Sequence, residues 1–123
     1  MGEAPHTLTE LSEMIRKFVI ERDWEQYNHP LNLAISTSIE AGELLELFQW
    51  KTIADVDRAL KDDEFRKALA SEIADVLIYL LRVADTAGID PTRAVIDKMK
   101  VNREKYPIGY WEGRAPSRFN RPK

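Results

Sequence analysis

The stretch Glu40-Ala-Gly-Glu-Leu-Leu-Glu-Leu-Phe-Gln-Trp50 threads acids through a run of apolar residues. A helix turns about 100° per residue, so Glu40 and Glu43 lie about 60° apart on one face. Leu44 and Leu47 point almost the same way, which places both carboxylates on an apolar surface. The stretch therefore predicts a helix that turns acidic side chains toward the interior of the protein.

A second stretch, Glu72-Ile-Ala-Asp-Val-Leu-Ile-Tyr-Leu-Leu81, repeats the pattern. Glu72 and Asp75 are again three residues apart, and their helical face also carries Phe65, Leu69, Val76 and Tyr79. Most acids on helices simply belong to solvated faces. The apolar neighbours and the matching pair on another helix favour two acidic pairs that face each other.

Four carboxylates without a counter-charge repel, and one unpaired ion in a dry site costs several kcal/mol. Protonation relieves this repulsion, and a bound divalent cation does so as well. Oxygen ligands without histidine or cysteine favour Mg²⁺ or Mn²⁺ over zinc, and Mg²⁺ in such sites keeps positions open for substrate phosphates. We therefore predict a magnesium site. Glu46 is expected outside it, because it is rotated toward a polar sector formed by Ser38, Gly42 and Gln49.

Outward from these stretches, the apolar periodicity predicts four helices with short connections, the pattern of an all-α four-helix bundle. A capping box at Thr7–Glu10 starts the first helix, and Gly88 is expected to end the third. The expected spans are from the Thr7 cap to about Glu21, from about Pro30 to Lys51, from about Glu64 to Ala87, and from about Pro91 to Lys105.

The segments between and after these helices are less regular. A charged connector from Thr52 to Asp63 is expected to be helical only in part. The last residues contain glycine, proline, arginine and aromatics without periodicity, so the tail is expected to be loosely ordered. The predicted organisation is one domain over residues 1–107 and a tail over residues 108–123.

Composition excludes several classes of protein. The chain of 123 residues has no cysteine, which rules out disulfides, thiolate catalysis and zinc–thiolate sites. Its net charge of −3 gives no indication of a nucleic-acid or membrane surface. No signal peptide is apparent, and the longest nearly apolar run, Ile73 to Ala84, is too short to span a bilayer. The expectation is a cytoplasmic protein.

Polar and aromatic residues around the acids indicate a ligand site. Lys98, Asn102 and Lys105 form a stripe ending beside Tyr106, which is either solvated or suited to phosphate oxygens. Aromatic residues flank the second predicted helix, where they either pack or sandwich a nucleobase. Polar residues there either recognise a base or cap a helix. The flanking residues are Trp24, Tyr27, His29, Asn32 and Trp50.

Together and in order, these stretches resemble the all-α nucleoside triphosphate pyrophosphohydrolases of the MazG-like superfamily, and within it the branch that hydrolyses dCTP. The resemblance covers roughly residues 16–107. Besides the two acidic stretches it rests on Glu21-Arg-Asp-Trp-Glu-Gln26, Asn32-Leu33 and Lys98-Met-Lys-Val-Asn-Arg-Glu-Lys-Tyr-Pro107. Some members have one more glutamate at the start of the motif, where this chain has Ile39.

The resemblance implies Mg²⁺-dependent hydrolysis of a nucleoside triphosphate, dCTP or a modified dCTP analogue, to the monophosphate and pyrophosphate. It assigns metal binding and catalysis to Glu40, Glu43, Glu72 and Asp75. It places Trp24, His29, Asn32 and Trp50 in the base pocket and Lys98, Asn102 and Tyr106 beside phosphate and sugar. Lys51 and Tyr79 complete the substrate-binding candidates. Members form dimers or tetramers, and a homo-oligomer is expected here.

Other readings of the sequence stay open at this point. Within the same chemistry, the chain could be a broad house-cleaning pyrophosphatase or a phosphoribosyl-ATP pyrophosphohydrolase. It could also be a non-catalytic, metal-binding assembly module. A di-iron bundle would need Glu-x-x-His on two helices, and the chain offers only Glu3-Ala-Pro-His6, where Pro5 opposes a helix interior.

Overall fold

The computed structural model describes residues 6–123, and this part of the chain is helical without a strand. Its helices are α1 Leu8–Glu21, α2 Pro30–Glu46, α3 Ile53–Ala59, α4 Asp63–Thr86, α5 Pro91–Lys105 and α6 Ile108–Trp111. The four long helices are those that the periodicity predicts. Residues 1–5 lie outside the described part. Most of the Glu3–His6 pattern, and most of the N-terminal segment for which no signal peptide was expected, lie there too.

Local side-chain chemistry sets the start of each long helix. Glu10 N–H donates to the Thr7 hydroxyl and Thr7 N–H donates to the Glu10 carboxylate, both at 3.1 Å, which confirms the capping box of α1. Pro30 and Pro91 occupy the first turns of α2 and α5, where a missing N–H costs nothing. Asp62 accepts from Glu64 N–H at the start of α4.

Helix α2 is shorter than predicted, because it ends at Glu46 instead of Lys51. Residues 47–50 form turns closed by three-residue bonds, such as Phe48 N–H to the Leu45 carbonyl at 3.0 Å. Trp50 then adopts a left-handed backbone with φ of 66°. That conformation cannot continue a right-handed helix, and Thr52 begins α3 with a second capping box.

The end of α4 confirms the predicted glycine stop. Gly88 has φ of 70°, and Ile89 N–H donates to the Ala84 carbonyl at 2.8 Å. Gly88 N–H donates to the Asp85 carbonyl at 3.2 Å, which completes a Schellman motif. This C-terminus separates the two compact units of the chain, one ending at Ile89 and one from Asp90 to Lys123.

In the unit ending at Ile89, α4 packs against both α2 and α1. Its core is small and centres on Val19, Leu33 and Leu81, each at most 7% exposed. The aromatic rings of Phe48 and Phe65 meet edge to face near the end of α2, with centroids 5.9 Å apart. Within residues 6–123, no helix combines the length and apolarity that a bilayer crossing requires.

The unit from Asp90 to Lys123 consists of α5, α6 and turns. Asp90 caps α5 by accepting from Thr92 N–H at 3.0 Å. The Trp111 ring stands edge-on to the rings of Tyr106 and Tyr110, each 5.1 Å away. The short helix α6 forms where the sequence shows no periodicity; Pro107 is its N-cap, and Trp111 N–H and Glu112 N–H donate to the carbonyls of Pro107 and Ile108.

Candidate functional site

Three predicted acids come together between α2 and α4. Carboxylate oxygens of Glu40, Glu43 and Glu72 lie within 4.8 Å of one another, a spacing suited to one shared cation. Asp75 is not part of this closest group, yet its negative charge contributes to the raised pKa of both Glu40 and Glu72. The structure thus brings the two acidic pairs face to face.

Two oxygens of this cluster are buried without a partner. Within the described residues, Oε2 of Glu40 and Oε2 of Glu72 accept no hydrogen bond. Burial raises the pKa of Glu40, helped by its contact with Glu43 and by the nearby acids. Burial also raises the pKa of Glu72, followed by the charges of Glu43, Asp75 and Glu46. A divalent cation would supply the positive charge and the coordination that these two carboxylate oxygens lack. The all-oxygen donor set therefore fits Mg²⁺.

Glu46 stands apart from the cluster but is not electrically isolated from it. It lines a surface depression with Gly42, Leu45, Phe48 and Gln49, in the sector that helix geometry predicts. Its charge nevertheless adds to the raised pKa of Glu72, after the charges of Glu43 and Asp75. Glu46 is therefore a neighbour of the cluster, but it is not one of the three acids whose oxygens lie within 4.8 Å of one another.

A cavity of ≈ 230 Å³ opens near the start of α2. Its walls combine aromatic faces, two side-chain amides, a hydroxyl and one leucine; the lining residues are Trp24, Tyr27, Asn28, Asn32, Leu33, Ser36 and Tyr79. Apolar faces with a few directional polar groups are typical of ligand sites. A volume below the usual 300–1,000 Å³ suits a nucleobase better than a whole nucleotide.

The cavity and the acids lie along the same helix faces. On α2, Ser36 of the cavity precedes Glu40 of the cluster by four residues, and on α4 Tyr79 follows Asp75 by four. Four residues of helix rise about 6 Å, or one turn. A ligand held in the cavity therefore has the carboxylates about one helical turn away.

The two tryptophans flanking α2 have different surroundings. Trp24 lines the cavity, and its ring meets that of Phe18 edge to face at 5.8 Å. Trp50 does not line the cavity, and 92% of its surface is exposed. The next residue, Lys51, places its Nζ 5.8 Å from the centre of the Phe65 ring. Within the described chain, Trp24 alone of this pair is part of the cavity.

The polar candidates at the start of α2 also separate. His29 caps the helix, because its Nδ1 accepts from Leu31 N–H at 3.1 Å, and it does not line the cavity. Asn32 does line the cavity, and its Nδ2 donates weakly to the Tyr27 carbonyl at 3.4 Å. The assignment of His29 and Asn32 to a base pocket stays a prediction. Of the two, only Asn32 lines the cavity.

The candidates on α5 belong to the other unit. Lys98 and Asn102 lie four residues apart on one face of α5, and Tyr106 is the residue that caps its C-terminus. Asn102 and Tyr106 are half-buried, and Tyr106 packs on Trp111. Their assignment to the phosphate and sugar stays a prediction.

Three cavity residues were not among the predicted site residues, namely Asn28, Leu33 and Ser36, while Tyr27 was named only as one of the aromatic residues flanking the second helix. Ser36 could have been predicted from the sequence, since it lies one turn before Glu40 on the same helical face. Asn28 could not have been predicted, because its position in the cavity depends on how the loop from Asp23 packs against α4.

A family model named MazG-like matches residues 35–114 of this chain. The matched span contains both acidic pairs and all of α5. The chain belongs to the MazG-like family, which confirms the resemblance drawn from the motifs.

Individual relatives agree with this assignment. The chain is 43% identical over 109 residues to dCTP pyrophosphatase 1 of Rattus norvegicus, covering 89% of this chain and 64% of the relative. It is 43% identical over 101 residues to dCTP pyrophosphatase 1 of Homo sapiens, covering 82% and 59%. The chain therefore spans less than two thirds of the length of these curated relatives.

A solved structure confirms the all-α fold. The crystal structure of a pyrophosphatase from Archaeoglobus fulgidus DSM 4304 superposes with a TM-score of 0.75 at 43% sequence identity. The match covers 87% of this chain and 98% of the archaeal chain. The helices that carry the acids and the cavity thus belong to a known pyrophosphatase fold.

Proposed function

We propose that this protein is a Mg²⁺-dependent nucleoside triphosphate pyrophosphohydrolase that converts dCTP, or a modified dCTP analogue, to the monophosphate and pyrophosphate. The observation that carries the proposal is the arrangement of a base-sized cavity about one helical turn from a carboxylate cluster on the same two helices. The relatives named dCTP pyrophosphatase 1 support this substrate class.

In this proposal the cavity binds the base of the nucleotide and the carboxylate cluster lies beside its phosphate chain. The face of Trp24 is available for stacking on a base, and the amides of Asn28 and Asn32 offer directional hydrogen bonds to its edge. With the base in the cavity, the phosphate chain extends along α2 and α4 toward the acids. Hydrolysis then takes place next to the carboxylates, away from the residues that recognise the base.

Glu40, Glu43, Glu72 and Asp75 would hold the metal. Bound there, Mg²⁺ would neutralise the charge of the phosphate chain as the bond to the leaving pyrophosphate breaks. The chain itself supplies anionic oxygens fixed on two packed helices, so the ligands are in position before substrate arrives. Burial of the two unpartnered oxygens limits the access of water to that side of the cluster.

A panel of deoxynucleoside and ribonucleoside triphosphates, scored by pyrophosphate release, tests this function. We expect dCTP or a 5-substituted dCTP to be preferred. Trp24→Ala is expected to raise KM for the preferred nucleotide about tenfold and to flatten the preference among bases, because stacking on a base is worth about 1–3 kcal/mol. Phe119→Ala, an exposed aromatic in the tail, serves as the matched control and should change neither quantity.

The panel also separates the alternatives. Similar kcat/KM for all bases would identify a broad house-cleaning pyrophosphatase. Absence of pyrophosphate release from every nucleotide would contradict the enzymatic proposal and favour a non-catalytic assembly module.

We further propose that the protein works as a homo-oligomer, a dimer or tetramer. The single chain leaves large apolar side chains of its packed helices exposed, among them Ile39 at 57%, Leu45 at 70% and Leu77 at 49%. Trp50 holds a left-handed backbone although nothing in the described chain covers its ring. A neighbouring subunit would explain both features and would let Trp50 close the base pocket of another chain.

Mixed oligomers test this sharing. If one chain supplies Trp50 to the pocket of its neighbour, mixing Trp50→Ala with Glu43→Gln chains should restore some sites that are complete. The expected result is activity above the sum of the two parent proteins. No recovery in oligomers whose mixed composition is verified by mass spectrometry would mean that each site is built within one chain.

A further inference from the structure

A buried arginine lies behind the cavity, outside the acidic cluster. Arg82 on α4 is only 5% exposed. Its Nη1 donates to Asp85 Oδ2 at 2.6 Å, and its Nε donates to Asn28 Oδ1 at 2.9 Å. A buried guanidinium needs an anion and acceptors for its donors, and these two residues supply them.

The anion is itself held from the other side. Arg16 on α1 donates to both oxygens of Asp85, from Nε at 2.9 Å and from Nη2 at 2.5 Å. The hydrogen bond from Arg16 is the largest cause of a lowered pKa of Asp85, and Arg82 adds to it. The Asp85 carboxylate therefore stays ionised at neutral pH. Among the described residues Arg16 makes no hydrogen bond to Asn28, so the two arginines can be separated by mutation.

The contact with Arg82 fixes the orientation of the Asn28 amide. Arginine only donates, so the amide oxygen must face it. The amide nitrogen then donates one N–H to the Trp24 carbonyl at 2.9 Å. Within the described residues its second N–H has no hydrogen-bond partner, and Asn28 lines the cavity.

We propose that Arg82 is a positioning residue for base recognition: it locks the Asn28 amide so that a donor, and not an acceptor, is available to the nucleobase. The proposal rests on the cavity being the base pocket of the proposed function. A charge-assisted hydrogen bond is about twice as strong as a neutral one, so the flipped amide is strongly disfavoured. Such a pocket favours a base edge that offers an acceptor, as the 2-oxo group of a pyrimidine does.

The same contact ties down the loop that carries Trp24. Arg82, Asn28 and Trp24 also line a second, smaller cavity of ≈ 150 Å³ between α1 and α4. Through Asn28, the position of Arg82 sets both the hydrogen-bonding edge and the stacking face of the pocket. Arg82 itself does not line the larger cavity, so it acts through these two residues.

Arg82→Lys separates positioning from simple stabilisation. Lysine can keep the ion pair with Asp85 but lacks the planar fork that also reaches Asn28. We expect KM for the preferred nucleotide to rise about tenfold with kcat nearly unchanged, and the preference among bases to weaken. Asn28→Ala should give the same result, and the double variant should be no worse than either single one.

Arg16→Gln is the matched control. It removes a partner of Asp85 without touching Asn28, so it should lower Tm yet keep the base preference. Retention of that preference in Arg82→Lys or in Asn28→Ala, or an equal loss in Arg16→Gln, would overturn the proposal. Asn28→Ala keeps the proposal falsifiable even if the Arg82 variant does not fold, because an unchanged base preference in Asn28→Ala would overturn it.

A readout without nucleotide distinguishes this inference from the function beneath it. In NMR spectra of the protein alone, the Trp24 indole N–H and the Asn28 side-chain amide should shift in Arg82→Lys and stay in place in Arg16→Gln. Unchanged signals in Arg82→Lys would overturn the positioning role. Failure of the wild-type protein to hydrolyse any nucleotide would instead contradict the proposed function and leave this readout valid.

Discussion

Glu43→Gln is expected to lower the rate of pyrophosphate release at least about a hundredfold. Loss of even an outer partner of a metal ligand typically costs about 10–100-fold, and Glu43 contributes an oxygen to the cluster itself. Glu40→Gln, Glu72→Gln and Asp75→Asn should have effects of the same order. The measurement is the steady-state rate with dCTP at saturating Mg²⁺.

Glu46→Gln is the control for these substitutions. It lies on the same helix and removes the same charge, but its side chain lines the depression beside Gly42 and Gln49. Its effect on the rate should be far smaller than that of Glu43→Gln. Equal losses in the two variants would show that the site is misplaced on α2.

The second large effect concerns the metal. Treatment with EDTA should abolish activity, and Mg²⁺ or Mn²⁺ should restore it, because the cluster offers only carboxylate oxygens. Mg²⁺ should also raise Tm, since it binds the folded cluster and relieves repulsion there. Full activity in a rigorously chelated sample would contradict the metal site.

The raised pKa values of Glu40 and Glu72 determine how the stability of the metal-free protein changes with pH. Because the pKa of Glu40 and Glu72 is raised above the ordinary 4.5 in the folded protein, the stability they contribute is fully present below pH 4.5. It is lost as the pH rises through the raised values. At neutral pH and without metal, that stability is diminished, so the two half-buried acids destabilise the fold relative to uncharged side chains.

Glu72→Gln should accordingly raise Tm in EDTA at pH 7 while it removes the increase in Tm that Mg²⁺ causes in the wild-type protein. Thermal unfolding at pH 5 and pH 7, with EDTA and with Mg²⁺, measures both changes. A lower Tm for Glu72→Gln in EDTA would mean that this carboxylate stabilises the metal-free fold, contrary to the geometry.

The acidic faces could be predicted because helical periodicity alone decides which residues share a face. Glu40 and Glu43, like Glu72 and Asp75, needed only the 3.6-residue repeat and their apolar neighbours to be found. The end of α2 could not be predicted in this way. The sequence stays helical in pattern through Trp50, whereas the backbone leaves the α-helix after Glu46, tightens into turns and becomes left-handed at Trp50.

The cavity was partly predictable for a different reason. Trp24 and Asn32 stand out as an aromatic and an amide near a helix start. Asn28 and Arg82 do not, because their pairing joins residues 54 positions apart and depends on the packing of a loop against α4. Contacts of that kind follow from tertiary structure and leave no local pattern.

The most direct test of the central claim is product analysis with dCTP and Mg²⁺. If the cavity holds the base and the carboxylates act on the phosphate chain, the wild-type protein should release dCMP and pyrophosphate in equal amounts, and Glu43→Gln should release neither. Formation of dCDP with inorganic phosphate, or no product from any nucleoside triphosphate, would contradict the account.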